Sequence, residues 1–456
     1  MEKIKKERIY MAFSYHAPTR TTCPVCDELE KTEKIKPIID TFDGRASASN
    51  GFPFHDWYNF VLGYTPTFPQ YMIDREGMTQ NDFIVDPFAG SGTTQLVCKY
   101  NRIPSLGIDA NDFMIFAASQ KLKWDLDLDG FRQAREELIP NIEKALSQID
   151  FSNNDLVEEL SEEYWPDNMD KRYISKKPII KIHIIKELID KVCLDDDLHE
   201  MFSFALSSIL VSVSNVNYGP GFGVRKAKDD VDVLKQFVAK LSLIEEDIQK
   251  VDAEQINTPA DSILGDSRKI SDYVDENTVS LMITSPPYPG DHEYTKHSKV
   301  ELIFNGMAGD LSSFRTIKKR MIVSSTTNIY KENNAKELVK DSQSIKEVTD
   351  EIQKRLDEDN ATSGYEKLYT RLVWEYFGCM KQVLEECLKV LKPGGKIALL
   401  VSDSHAFKMV HIQTAKILKE IGEDVGFTKS EIVLWQLKNS TSHKYQLREN
   451  ILILEK

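Results

Sequence analysis

The run Val279-Ser280-Leu281-Met282-Ile283-Thr284-Ser285-Pro286-Pro287-Tyr288 constrains the fold most strongly. A short apolar stretch stops at two hydroxyl residues, two prolines and an aromatic ring. That pattern predicts a buried strand delivering a stiff turn to the edge of a sheet. Each proline fixes its own φ, lacks an N–H and restricts the residue before it. The carbonyls of Ser285 and Pro286 are thereby held outward, able to accept hydrogen bonds from an exocyclic amine. Tyr288 adds a flat face on which a base can stack. The plain alternative is a proline-rich loop that merely closes a strand.

A second strand and turn stand upstream at Asp82-Phe83-Ile84-Val85-Asp86-Pro87-Phe88-Ala89-Gly90-Ser91-Gly92-Thr93-Thr94. The glycines permit positive φ and close approach of a ligand to the backbone. A helical stretch at 95–100 leads to a β-like segment at 105–109, which ends in Asp109. An acid at the tip of the second strand of a βαβ unit is the usual holder of ribose hydroxyls. No lysine follows the last glycine, which argues against a Walker-type phosphate loop. A third short strand at 262–267 carries Asp266. Near the C-terminus, an amphipathic helix over 372–391 is stopped by Lys392-Pro393-Gly394-Gly395. A buried-type strand at 396–401, a helix at 411–421 and a strand pair at 432–436 and 450–454 follow. This alternation predicts an α/β fold: a Rossmann-like, mainly parallel sheet covered on both faces, with an antiparallel edge strand.

Two stretches interrupt the alternation. Helical spacing at 136–149, 179–192, 198–214 and 231–248 predicts a large helical insertion. The expected division is an N-terminal extension at 1–50 and a core in three parts, 51–125, 256–305 and 365–456. The helical insertion spans 126–255, and a basic and polar insertion spans 306–364. Either insertion is a candidate for reading a target. The glycine-rich 217–228 stretch, with Arg225, Lys226 and Lys228, fits a phosphate-contacting loop or a solvated turn equally well. Lys296, His297, Lys299, Arg315, Lys318, Lys319 and Arg320, with Tyr294 and Phe314 among them, form a pattern suited to nucleic acid, although charge runs are usually solvated faces. Residues 331–360 fit an exposed helix or a loop. The rings of 51–80 suit either a packed cap or one wall of a cofactor pocket.

Composition narrows the class. The net charge of −14 means that any contact with phosphates depends on local basic patches. No apolar stretch reaches the ~20 residues needed to span a bilayer, and the charged start Met1-Glu2-Lys3-Ile4-Lys5-Lys6 has no apolar segment behind it. Six cysteines in 456 residues suit reduced thiols and a cytoplasmic protein with no membrane partner. Cys23-Pro24-Val25-Cys26 has the spacing of half a zinc site without a second half, so the expectation is two free thiols and no metal.

Together, the 86–94 loop and Thr284-Ser285-Pro286-Pro287-Tyr288 resemble the S-adenosylmethionine-dependent amino-methyltransferases of DNA. The 391–395 turn and the closing Arg448-Glu449-Asn450-Ile451-Leu452-Ile453-Leu454 match as well. The resemblance covers 50–125, 256–305 and 365–456. It implies S-adenosylmethionine held by Asp86, Pro87, Phe88, Ala89, Gly90, Ser91, Gly92, Thr93 and Thr94, with Asp109 at the ribose, Asp266 near the adenine, and Ser285 also in contact. It implies Thr284, Ser285, Pro286, Pro287 and Tyr288 as the catalytic loop, double-stranded DNA as substrate, and a restriction endonuclease or defence-system subunit as partner. Ser-Pro-Pro-Tyr usually marks cytosine-N4 enzymes, whereas Asp- or Asn-Pro-Pro-Tyr usually marks adenine-N6 enzymes. The cofactor motif precedes the catalytic loop here, while many Ser-Pro-Pro-Tyr enzymes have the reverse order. Carbon-5 methylation is disfavoured, because it needs a thiolate in a Pro-Cys loop. Adenine-N6 transfer and a non-catalytic, cofactor-binding subunit are the alternatives.

Overall fold

The computed structural model describes residues 51–219, 221–361, 363–439 and 446–456. The expected extension at 1–50, with Cys23 and Cys26, lies outside them. A seven-stranded sheet forms the centre, in the order β5-β2-β1-β6-β7-β9-β8. Its strands are β1 (Ile84–Asp86), β2 (Ser105–Asp109), β5 (Ala260–Leu264), β6 (Val279–Thr284), β7 (Leu391–Ser402), β8 (Lys429–Asn439) and β9 (Gln446–Glu455). β3 (Val216–Asn217) and β4 (Gly223–Val224) make a separate small antiparallel pair.

Strands β5, β2, β1, β6 and β7 are parallel to their neighbours. β9 runs antiparallel to both β7 and β8. The reversed strand is therefore one in from the edge, and β8 is the edge. The crossover from β7 through a helix carries the chain to the outermost position, and the hairpin return fills the gap. The Lys392–Gly395 stretch, expected as a turn, lies within β7, where the ladder with β6 shifts register between Val279 and Leu281.

The longer helices are α1 (Thr67–Glu76), α2 (Thr93–Tyr100), α3 (Asp112–Leu122), α4 (Leu128–Ser147), α5 (Asn154–Tyr164), α6 (Lys176–Val192), α7 (Asp196–Val213) and α8 (Val233–Ile248). They continue with α9 (Lys299–Phe304), α10 (Leu311–Arg320), α11 (Gln343–Glu358), α12 (Tyr369–Val390) and α13 (Thr414–Val425). Two boundaries differ from the sequence expectation for local reasons. The Asp127 side chain accepts from Asp129 N and caps α4 about two turns earlier than apolar spacing indicated. Ser404 and Ile412 form an antiparallel bridge, which holds 411–412 extended and delays α13 to Thr414.

Apolar packing divides by sheet face. Leu281, Ile283, Ala398, Leu400, Ile451 and Ile453 pack toward α1 and α2. Met282, Ile397, Leu399, Val401, Leu452 and Leu454 pack toward α12 and α13. The 126–255 helices do not form a separate core. One cluster joins them to Phe54 and Trp57 upstream and to Val300, Phe304 and Ile317 downstream. Among the described residues no helix is long and apolar enough to cross a membrane.

The chain begins the sheet at its centre with β1, builds outward through β2 to β5, then crosses back to lay β6 on the other side of β1. The strand order reverses between β1 and β6. Crevices outside the carboxyl ends of strands at such a point are where α/β sheets bind ligands.

Candidate active site

The glycine-rich loop leaves β1, and the proline loop leaves β6, at this reversal. Asp86, fully buried, accepts from Tyr64 Oη at 2.6 Å and from Phe88 N at 3.0 Å. Burial pushes its carboxyl above the usual carboxylate range, and these bonds oppose the push. Tyr64 Oη is also 2.5 Å from Thr94 Oγ1, which donates to Ile283 O at 3.2 Å. This hydroxyl chain ties the tip of β1 to the end of β6 and so sets the two loops against each other.

Within the first loop, Gly90 (φ 51°) and Gly92 (φ 83°) take left-handed backbone that disfavours a side chain. Gly90 N donates to Asp109 Oδ2 at 2.9 Å, and Asn111 N donates to Oδ1 at 2.9 Å. Burial pushes Asp109 up to about 6. Lys121, fully buried, donates from Nζ to Ser91 O at 3.0 Å, and burial pulls its ammonium down to about 7. A lysine from α3 thus holds the loop from behind, a role that its helical position alone did not signal.

In the second loop, Thr284 is fully buried at the end of β6. Ser285 Oγ donates to Leu400 O at 3.0 Å and lies 3.1 Å from Tyr288 Oη. Tyr288 Oη donates to Glu449 Oε1 at 3.3 Å, and Tyr288 N donates to Tyr294 Oη at 3.2 Å. Burial and the neighbouring Glu449 carboxylate keep the Tyr288 hydroxyl protonated. Glu449 is almost completely buried on β9 and is also bound by Lys438 and by Gln436. It is a fixed acceptor supplied from some 160 residues away in sequence, and it was read only as part of a closing apolar strand.

Between the loops lies a cleft. Phe88, Ala89, Gly90, Ser91, Thr93 and Asp109 form one side, and Ser285, Pro287 and Tyr294 another. Phe60 and Tyr64 complete a wall, which accounts for part of the aromatic 51–80 stretch, while Phe54 and Trp57 belong to the helical core. Asp86 supports the loop from below, and Pro87 O accepts from Ser267 Oγ. Asp266 has both carboxylate oxygens engaged by Arg268, at 2.8 and 2.7 Å, and it is Ser267 that faces the cleft. Arg320, Met321, Ile322 and Ser324 also reach the cleft from the 306–364 insertion. Arg320 is moored there by Ala110 O and by Asp112 at 2.5 Å.

The matches with known proteins bear on this geometry. A family model described as DNA methylase matches residues 62–120, which hold Tyr64, the glycine-rich loop and Asp109. The chain is 24% identical to the Type II methyltransferase M.BsoBI of Geobacillus stearothermophilus, over 94% of this chain and 90% of that protein. It is 21% identical to the Type II methyltransferase M.AvaI of a Nostoc species, over 90% and 85% of the two chains. A shorter match, 30% identical over 31% of this chain, is to M.MjaII of Methanocaldococcus jannaschii. These matches support the N4/N6 family of DNA methyltransferases for this chain.

The expected basic surface is largely spoken for inside the protein. Lys296 and Lys318 both pair with Glu293, at 3.0 and 2.5 Å, and Lys319 pairs with Glu332 at 2.7 Å. Burial works against the charge on Glu293, but the bonds from Lys318, Thr327 and Lys296 outweigh it and draw the carboxyl down to about 2. Lys299 sits over the Tyr173 and Phe314 rings, and Arg315 over Tyr330. In the 217–228 stretch, Arg225 binds Asn217 Oδ1 and Lys228 binds Ser212 O. Charge counting along the sequence missed these internal partners.

Proposed function

We propose that this methyltransferase transfers a methyl group from S-adenosylmethionine to the exocyclic N4 amine of cytosine in double-stranded DNA. The observation that carries the proposal is the facing of two loops across one cleft: the loop after β6, through Ser285 and Pro287, and the glycine-rich loop with Asp109 after β1 and β2. The donor set fits the cofactor. An acid stands where ribose hydroxyls need an acceptor, Phe60 and Phe88 offer apolar walls, and the acidic Asp86 and Asp109 favour a cation nearby. S-adenosylmethionine, when bound, supplies a methyl already activated on a sulfonium.

The protein's own part is positional and electrostatic. A base inside a duplex is out of reach, so the target must leave the stack, at a cost of a few kcal/mol. Tyr288, held by Ser285, Glu449 and Tyr294, offers its ring to the extruded base. The Ser285 hydroxyl or carbonyl and the Pro286 carbonyl accept from the amine, raising electron density on the attacking nitrogen. No covalent enzyme intermediate is needed, so catalysis rests on orientation and fixed dipoles. Cytosine is favoured by serine at the first position of the loop. The Type II relatives support a role in restriction-modification.

Incubation with labelled S-adenosylmethionine and unmethylated DNA, followed by nucleoside analysis, tests the reading. Labelled N4-methylcytosine is expected. Label in N6-methyladenine would overturn the choice of base, and no label in any base would overturn methyl transfer.

A further inference from the structure

On the opposite face of β9 from Glu449, the structure holds a second polar recess, between α13 and the edge strand β8. Its lining includes Arg448, Asn450, Gln413, Lys416, Lys419 and Ser430. Arg448 is only 6% exposed and Asn450 only 4%. Arg448 Nε and Asn450 Oδ1 are both buried without a hydrogen-bond partner. Arg448 makes no ion pair with any carboxylate among the described residues. An isolated buried charge is strongly unfavourable, and buried guanidinium groups are ordinarily paired. Of the two acids in the recess, Asp403 lies 2.8 Å from His411 Nε2, and Glu431 pairs with Arg75 at 2.5 Å. Lys416 is exposed, and Lys419 has only a distant contact, 3.9 Å from Glu423.

A forked guanidinium and two helix lysines converge on a recess where the guanidinium is paired with neither of the lining carboxylates, Asp403 and Glu431. Such a set matches the oxygens of a phosphate group. The recess also sits beside the catalytic loop along the chain: Arg448 directly precedes Glu449, whose carboxylate holds Tyr288. Successive side chains of a strand point to opposite faces, so β9 serves the loop with one residue and the recess with the next.

We propose that the Arg448 recess binds a backbone phosphate of the substrate DNA, gripping the strand beside the extruded base; this rests on the reading that the substrate is DNA. It accounts for a DNA-acting protein with net charge −14 whose 291–330 cations are mostly paired internally. One strong, pre-placed contact then stands in for a broad basic surface.

The test has two arms, both on the full chain. In the first, the thermal midpoint is measured in sodium phosphate and in sodium chloride at matched ionic strength. Phosphate should raise the wild-type midpoint and leave Arg448→Gln unchanged; equal responses of the two proteins would overturn the site. If Arg448→Gln fails to fold, Lys416→Ala, at an exposed position, takes its place and should weaken the phosphate response; an undiminished response would overturn the site. In the second arm, duplex DNA binding is followed against salt. The slope of log affinity against log salt should fall by about one for Arg448→Gln. An unchanged slope together with a retained phosphate response would assign the recess to free phosphate and overturn the DNA source. The first arm needs neither cofactor nor methyl transfer, so failure of the functional reading and failure of this site are separately visible.

Discussion

At the scale of single residues, Asp109 and Tyr288 are where the proposed chemistry is most exposed to test. Asp109 is pushed up to about 6 from the ordinary value of 3.8 by burial. Below that pH the carboxyl is protonated and loses acceptor capacity toward ribose hydroxyls. S-adenosylmethionine affinity should therefore weaken by about tenfold per pH unit below 6, the slope of one proton. Calorimetric titration between pH 5 and 8 checks this, and Asp109→Asn should bind weakly with no such slope. Tyr288→Ala should abolish methyl transfer while cofactor affinity stays within a few-fold. Tyr288→Phe keeps the ring but loses the bonds to Ser285 and Glu449, so kcat should fall about ten- to hundredfold, in keeping with two lost hydrogen bonds. Equal effects of the two substitutions on kcat would remove stacking from the mechanism. Asp109 and Tyr288 could be singled out because each sits on a short local pattern, a strand followed by a turn. Glu449, Lys121 and Tyr64 could not, since each acts on a loop from a distant stretch of chain whose local spacing says only helix, strand or ring.

Elements show the same division between local and distant information. The parallel strands and the long helix α12 were legible because their apolar periodicity is decided within about ten residues. The place of β9 between β7 and β8 depends on a crossover, and no periodicity encodes it. The 306–364 insertion was read as basic and polar, with 331–360 an exposed helix or a loop, yet it is anchored on the core by a close backbone contact. A Cβ at Gly378 of α12 would lie 2.1 Å from Ala335 O, so the glycine makes room for that turn. Ala335, Val339, Ile345 and Ile352 pack into the same apolar cluster as α12. Gly378→Ala must push the insertion off the helix, and overpacking of this kind costs about 1–3 kcal/mol. Because Ile322 and Ser324 of that insertion reach the cleft proposed for the cofactor, the substitution should also weaken S-adenosylmethionine binding. Denaturant melts and a cofactor titration on one preparation check both effects. A stability loss with unchanged affinity would show that the anchor and the cleft wall are independent.

For the whole molecule, the question is whether the sheet and the 126–255 helices are separate bodies, as the sequence division suggested, or one. Phe54 N and Trp57 Nε1 both donate to Asp247 Oδ2 on α8, at 2.9 and 3.0 Å, and both rings are buried in the helical cluster. Trp57→Ala removes a fully buried ring, a loss of about 3–5 kcal/mol. The intact chain should melt in one calorimetric transition, which this substitution lowers as a whole; two transitions, only one of them moved, would mean two bodies. Glu301 makes a second tie. It is fully buried on α9 and accepts from Tyr58 Oη at 3.0 Å and Tyr218 Oη at 2.6 Å, so it joins the N-terminal stretch, the helices and the chain leaving the catalytic loop. Burial pushes its carboxyl up to about 7, above the ordinary 4.5. The folded protein thus holds a proton that the unfolded chain releases at lower pH. Its contribution to stability is complete below about 4.5, declines as pH rises, and is lost above about 7. Glu301→Gln keeps the shape and removes the titration. The melting temperature of the wild type relative to this variant should fall between pH 4.5 and 7 and then stay level. Parallel melting curves across that range would mean that Glu301 is ionised in its buried site, with the two tyrosine hydroxyls alone sustaining the charge.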